Sequence, residues 1–169
     1  FTFLLVLFFL NSCKQDPSKV STANLQNVEI NAKDYQNAVD RVTEIMIHDI
    51  FSPPQASRIY AYPNIAAYEI VAQNDPSYKS LAGQVTDLTN IPTTTDSLVN
   101  YPLAALIAHT DLSKSLVFSE EKMTAYSDSL YDIWSEKNKP QFDASMNYAM
   151  KVVDHMKEWI EKDNYKQTR

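Results

Sequence analysis

Apolar residues recur every three or four positions through most of the chain beyond Asn31, which is the spacing of one face of an α-helix. The first such pattern predicts a helix over Asp34–Ile50 that ends before the turn Ser52-Pro53-Pro54, because a residue preceding proline is pushed out of the helical region. A second helix is predicted over Gln55–Gln73, with Pro63 bending it. The predicted inward faces are Tyr35, Val39, Val42, Met46 and Ile50 in the first helix, and Ile59, Ala66 and Ile70 in the second.

Three further helices are predicted after Asn74-Asp75-Pro76 and a loop that runs to Asn100. The third helix begins with Asn100 as its N-cap, and its stretch Leu103–Ala108 is apolar on every side, which predicts a central position. Ser119 is predicted to cap a fourth helix and Pro140 to start a fifth. The inward faces are Met123, Tyr126, Leu130, Ile133 and Trp134 in the fourth helix, and Phe142, Met146, Ala149, Val153, Met156 and Ile160 in the fifth.

The predicted fold class is all-α, with about five helices packed as an incomplete bundle over residues 32–169. Gly83 is the only glycine in the chain, whereas a sheet protein with many tight turns needs more of them. A single helix of this length is marginal alone, so the helices must pack together.

The first residues follow a different pattern. Phe1–Leu10 are almost wholly apolar and lead through Asn11-Ser12 to Cys13. This run is too short to cross a bilayer, which takes about 20 residues, but it suits the apolar core of a secretion signal. With Cys13 at its end it looks like the lipobox of a bacterial lipoprotein. We therefore expect residues 1–12 to be a signal peptide whose start is missing, Cys13 to carry the lipid, and residues 13–31 to be a flexible tether. The alternative for Cys13 is an incidental buried thiol.

This N-terminus predicts a membrane partner, reached through the lipid at Cys13, and a place in the bacterial cell envelope, most simply at the outer membrane. The formal net charge of −6 argues against nucleic acid, because phosphate binding needs clustered Lys and Arg. The chain also has no polybasic patch for anionic lipid heads. A single cysteine excludes a disulfide within the chain.

The three histidines are the candidate reactive groups. His48 forms a stripe with Asp40 and Glu44 at a spacing of four, which metal ligands could use, but the stripe lies opposite the apolar face and is predicted to face water. His109 is either a buried base or, as we expect, a core histidine bonded to a backbone carbonyl. His155 is expected to pack partly covered on the fifth helix. No metal, redox or glycine-rich phosphate motif occurs, so the sequence predicts no catalytic or metal-binding residue here.

The stretch HDIFSPPQASRIYAYPNIAAYE, from His48 to Glu69, is distinctive. It resembles the N-terminal region of lipoproteins from the vanadium-dependent haloperoxidase and type 2 phosphatidic acid phosphatase superfamily, as found in Bacteroidetes-like bacteria. Tyr78–Gly83, Leu116–Glu120 and Lys162–Arg169 look like further parts of that region. The resemblance runs from about Asp34 to Arg169, and it implies a largely helical protein built around four-helix bundles.

In that family an oxyanion, vanadate or phosphate, is held by Lys and Arg before a Pro, by a Ser-Gly-His segment and by an Arg followed by a His. None of these motifs is present: neither Arg41 nor Arg58 precedes a proline, and Gly83 precedes Gln84. The resemblance implies that they lie downstream of Arg169, so it transfers no catalytic role to this chain.

The expected function is the N-terminal helical scaffold of a haloperoxidase-like or phosphatase-like envelope lipoprotein whose oxyanion site lies in a missing C-terminal half. That half is then a partner of this chain, and the resemblance implies vanadate for the full-length protein but no cofactor in this part. The alternative is a non-catalytic helical lipoprotein that binds an envelope partner or glycan through its tyrosines and the Asn74–Asn100 loop.

Overall fold

The computed structural model describes residues 25–168. Its helices are α1 (Ala32–His48), α2 (Pro53–Asn74), α3 (Tyr101–Lys114), α4 (Glu120–Lys162) and α5 (Tyr165–Thr168). Within this range the β interactions are limited to an isolated bridge between Ala82 and Val85, so the predicted all-α class is confirmed. The predicted signal peptide, the lipid site at Cys13 and most of the predicted tether lie outside the described residues. None of the described helices is both long and apolar enough to cross a membrane.

Helix α3 lies at the centre of the fold, as its uniformly apolar sequence predicts. Every residue from Leu103 to Ala108 is buried, and both α2 and α4 pack against α3. The Asn100 side chain accepts a hydrogen bond from the backbone N–H of Leu103 at 3.1 Å, which confirms the predicted N-cap. Each large apolar side chain buried here contributes about 1.5–3 kcal/mol, so α3 organises the core.

Helix α1 starts slightly earlier than predicted, because Asn31 and Asp34 form a reciprocal capping box at its N-terminus. Val42 and Met46 are buried as predicted, together with Ala38 and Ile45. The prediction for Ile50 is wrong: its side chain is 88% exposed. The helix ends at His48, so the helical period no longer determines where Ile50 points.

The turn after α1 is a Schellman motif in which isoleucine stands where glycine is usual. The backbone N–H of Ile50 donates to the Ile47 carbonyl at 3.2 Å, and that of Phe51 to the Met46 carbonyl at 3.1 Å. Ile50 consequently adopts φ +57°, in the left-handed region that a β-branched side chain avoids. Such a conformation costs on the order of 1–3 kcal/mol. Asn164 occupies the same position after α4, at φ +54°, and asparagine tolerates this left-handed conformation.

The predicted fourth and fifth helices are confirmed as the two helical parts of α4, which the non-helical residue Asn138 (φ −157°, ψ 83°) separates. The Asn138 side-chain oxygen accepts from the Gln141 N–H at 3.1 Å and so caps the part that follows. The break between the two parts therefore lies two residues before Pro140, close to its predicted position. The prediction for Ile133 is wrong, since it is 60% exposed. Neighbouring helical positions point in different directions, and here Trp134 takes the buried one.

The long loop between α2 and α3 packs across the surface. Its Leu88 and Ile91 are buried in the core, and the Trp159 indole N–H of α4 donates to the Thr86 carbonyl at 3.0 Å. Gly83 adopts φ +74°, which explains a glycine at this one turn. Helix α5, which the sequence analysis did not predict, inserts Tyr165 into the core.

Candidate functional site

The four separate segments that carry the family resemblance meet in the fold. The first of them, His48–Glu69, which comprises the end of α1, the turn and most of α2, holds the other three by side-chain hydrogen bonds. Its contacts fall into three groups, at Asp49, at Arg58 with Tyr62, and at Tyr68 with Glu69. We call His48–Glu69 the hub segment.

At the start of the hub segment, Asp49 fastens α1 to the N-terminus of α4. Its side chain is only 3% exposed, and its Oδ2 accepts the backbone N–H groups of Phe118 at 2.8 Å and Ser119 at 2.9 Å. Burial opposes ionisation of Asp49, but hydrogen bonds from Ser119, His48 and Phe118 outweigh it, so the pKa of the carboxyl lies below its ordinary value. Ser119 is the N-cap residue of α4, as predicted, but its side chain makes no capping hydrogen bond, and its hydroxyl donates to Asp49.

A serine, a histidine and an aspartate therefore meet at this point, yet they do not form a catalytic triad. His48 Nδ1 lies 3.1 Å from Asp49 Oδ1 and 3.4 Å from Ser119 Oγ, so one ring nitrogen faces both partners. A triad needs the two ring nitrogens to serve the acid and the nucleophile separately. The Ser119 hydroxyl moreover donates its proton in a hydrogen bond to Asp49 and not to His48. The arrangement is a structural clamp.

In the middle of the hub segment, Arg58 holds the end of the described chain. Its Nε donates to the Tyr62 hydroxyl at 2.8 Å, and its Nη2 donates at 2.7 Å to both the carbonyl and the carboxylate of Asp163. Its Nη1 donates to the Thr168 hydroxyl. The guanidinium also lies 5.1 Å from the centre of the Tyr165 ring, within the range of a cation–π contact. The donors of Arg58 are thus used within the fold.

Tyr62 completes this cluster by donating its hydroxyl to the Asp163 carboxylate. That hydrogen bond is the largest cause that places the pKa of Asp163 below its ordinary value, and Arg58 adds to it. Burial, followed by the same hydrogen bond, raises the pKa of Tyr62 to about 12. Neither group is set up to exchange a proton near neutral pH.

At the end of the hub segment, Glu69 anchors the long loop. The residue is 2% exposed, and its carboxylate accepts the Ser80 hydroxyl and the Leu81 N–H, each at 2.6 Å. The Tyr68 hydroxyl donates to the Lys79 carbonyl at 2.8 Å. A buried carboxylate must be satisfied in this way, because leaving it without partners is costly.

The structure confirms two histidine predictions and corrects the third. The stripe that ends in His48 is exposed, and His155 is partly covered, with its Nε2 3.2 Å from the Thr89 hydroxyl. His109 is buried, but its Nδ1 has no hydrogen-bond partner, so the predicted bond to a backbone carbonyl is not made there. Its ring lies 5.0 Å from that of Tyr35, and burial lowers its pKa to about 4.

Among residues 25–168, an apolar groove of about 700 Å³ lies between α1, α2 and α3. No charged side chain lines it, and the Tyr35 hydroxyl at its wall donates to the Asn64 side-chain oxygen at 2.8 Å. Tyr68 and Tyr78 also line the groove, whereas Tyr60 is bonded to Thr43 within the fold.

Comparison with known proteins identifies the fold's relatives. No protein-family model matches the chain, and the comparison with curated proteins gave no match. Among solved structures, the chain is similar to one described as the crystal structure of the first bacterial vanadium-dependent iodoperoxidase, with 54% sequence identity and a TM-score of 0.82. The chain is similar to part of that vanadium-dependent iodoperoxidase. The match covers 85% of this chain but only 35% of the iodoperoxidase chain.

Residues 25–168 of this chain do not by themselves fit an oxyanion such as vanadate. Arg58 lies in the hub segment, but its guanidinium donates hydrogen bonds to Tyr62, Asp163 and Thr168 within the fold. Arg41 is bonded to Glu44 and to the Lys122 carbonyl. Across residues 25–168, no group of three or more His, Cys, Asp and Glu side chains is placed to hold a metal ion.

The residues that fasten the hub segment were not among the predicted site residues. A signal for two of them was present in the sequence. Arg58 lies four residues before Tyr62 in a largely uncharged stretch, and Glu69 stands among apolar residues of the same helix. A lone charge in such a helix indicates a buried partner elsewhere. The partners of Arg58 could not be identified from the sequence, because Asp163 lies 105 residues away and Thr168 lies 110 residues away.

Proposed function

We propose that this chain is the N-terminal helical scaffold of a larger vanadium-dependent haloperoxidase-like lipoprotein, whose oxyanion site lies in residues that follow Arg169. The similarity to the iodoperoxidase supports the proposal, because 54% identity over 85% of the chain accompanies coverage of only 35% of that protein. The absence of the family's oxyanion motifs from this sequence, and the commitment of Arg58 to the fold, support a site elsewhere. Iodide is the halide that the relative's description indicates.

The test of this function is the activity of the full-length protein. In the presence of vanadate we expect it to catalyse oxidation of iodide by hydrogen peroxide, in which peroxide is reduced to water and iodide becomes hypoiodous acid. Triiodide absorbance in excess iodide measures the rate. Hydrolysis of p-nitrophenyl phosphate by the vanadate-free protein, with no vanadate-dependent iodide oxidation, would favour the phosphatase branch. If the full-length protein shows neither activity, the non-catalytic lipoprotein becomes the better account.

The envelope location is a proposal of its own and rests on the order of residues before Cys13. We expect the protein made in a bacterial host to partition into detergent and to carry a diacylglycerol-modified cysteine, detected by mass spectrometry of the N-terminal peptide. Cys13→Ser removes the only cysteine, so this variant is expected to lose the lipid and to remain in the aqueous phase. Retention of that variant in the membrane fraction would contradict lipid anchoring.

A further inference from the structure

The end of α1 presents apolar side chains on the surface of the described chain. Ile47 is 73% exposed and Ile50 is 88% exposed. Phe51 stacks on Phe118 with 4.6 Å between ring centres and 14° between ring planes. We call Ile47, Ile50, Phe51 and Phe118 the Ile50 patch. Isolated exposed apolar residues are ordinary, but a contiguous group of large ones indicates a contact surface.

The backbone of Ile50 makes the patch harder to explain as ordinary surface. Isoleucine occupies the left-handed position of a Schellman motif, which glycine or asparagine would occupy without strain. A side chain in water gains nothing that offsets this strain. An isoleucine at this position is explained if its side chain is buried against something that residues 25–168 do not include.

The patch is also held in a fixed shape. Asp49, next to Ile50 in sequence, accepts the backbone N–H groups of Phe118 and Ser119, which fixes the turn after α1 against the start of α4. The stacked rings of Phe51 and Phe118 bridge the same two elements. A surface that is already ordered loses little conformational freedom when it is covered.

The end of the described chain lies close to the start of α2, which directly follows the patch in sequence. The Gln55 side-chain nitrogen donates to the Thr168 carbonyl at 3.2 Å, and Arg58 donates to the Thr168 hydroxyl. Gln55 is in the first turn of α2, four residues after Phe51. Polypeptide that continues beyond Thr168 therefore leaves the fold beside the first turn of α2, a few residues in sequence after the Ile50 patch.

We propose that the Ile50 patch is the docking surface for the polypeptide that follows Arg169 in the full-length protein. This inference rests on the proposed function, since it requires the larger protein that coverage of only 35% of the iodoperoxidase chain suggests. The polypeptide that covers the patch is part of the same molecule. The contact is therefore intramolecular and needs no high affinity.

Thiol accessibility in the full-length protein tests the docking directly. In a Cys13→Ser background, Ile50→Cys and the matched control Ile133→Cys each place a thiol where residues 25–168 alone leave the side chain largely exposed. We expect maleimide to label Cys at position 50 at least about tenfold more slowly than Cys at position 133, because labelling then requires local opening. Equal labelling rates at the two positions would overturn the proposal.

Further measurements show whether something other than the following polypeptide covers the patch, and they test the proposed function separately. Ile47→Cys, in the unstrained helix, repeats the test if Ile50→Cys does not fold, with the same outcomes. Protection that is lost on dilution, together with a dimer mass by light scattering, would overturn the proposal in favour of a second copy. Protection found only with phosphatidylethanolamine–phosphatidylglycerol vesicles would overturn it in favour of a lipid surface. Vanadate-dependent iodide oxidation, measured on the Cys13→Ser protein, reports on the function independently of either result.

Discussion

Replacing Arg58 by leucine is expected to lower the free energy of unfolding by about 3 kcal/mol, because the change removes hydrogen bonds to Tyr62, Asp163 and Thr168 together. The figure is below the simple sum for charged hydrogen bonds, since the Asp163 side chain is 52% exposed and water replaces part of what is lost. Urea unfolding of the full-length protein, followed by circular dichroism, measures the change.

Two control variants test whether the loss is specific to the arginine side chain at position 58. Arg58→Lys keeps the charge but loses the planar set of donors, so we expect roughly half of the loss. Arg41→Leu removes an arginine whose partner Glu44 has a side chain that is 66% exposed, and we expect a loss below about 1 kcal/mol. Equal effects of Arg58→Leu and Arg41→Leu would contradict the anchoring role of Arg58.

Acidification from about pH 7 to about pH 4.5 is expected to destabilise the fold by about 2 kcal/mol through His109 alone. Burial lowers the pKa of this imidazole from 6.5 to about 4. Below pH 6.5 the unfolded chain therefore binds a proton at His109 that the folded chain does not bind until about pH 4. The unfolded state binds more protons in this window, so stability falls as the pH is lowered through it.

Variants at position 109 isolate this contribution from that of the carboxylates. His109→Leu and His109→Gln both remove the titrating group, although one is apolar and the other polar. Each is expected to lose about 2 kcal/mol less than the unaltered protein between about pH 7 and about pH 4.5, whatever its stability at pH 7. Urea titrations at several pH values measure the difference. A pH dependence unchanged in both variants would show that His109 is not the group responsible.

The candidate site could be predicted from the sequence only as a set of segments. The resemblance marked His48–Glu69 and three shorter stretches, and the structure shows that the first holds the other three. The bonds themselves, such as Asp49 to Ser119 or Glu69 to Leu81, join residues that no local pattern relates. Ser119 illustrates the difficulty, because its place at the N-cap could be predicted, whereas the hydrogen bond from its hydroxyl to Asp49 could not.

The amino-acid sequence alone determined the helical class, the central place of α3 and the N-cap at Asn100, because helix periodicity and capping depend on neighbours within one or two turns. Only the tertiary structure decided that Asp49 holds Ser119 at the start of α4 and that Arg58 holds Asp163. Those features depend on which distant segments meet, and hydrogen bonds between residues far apart in sequence leave no periodic trace in the chain.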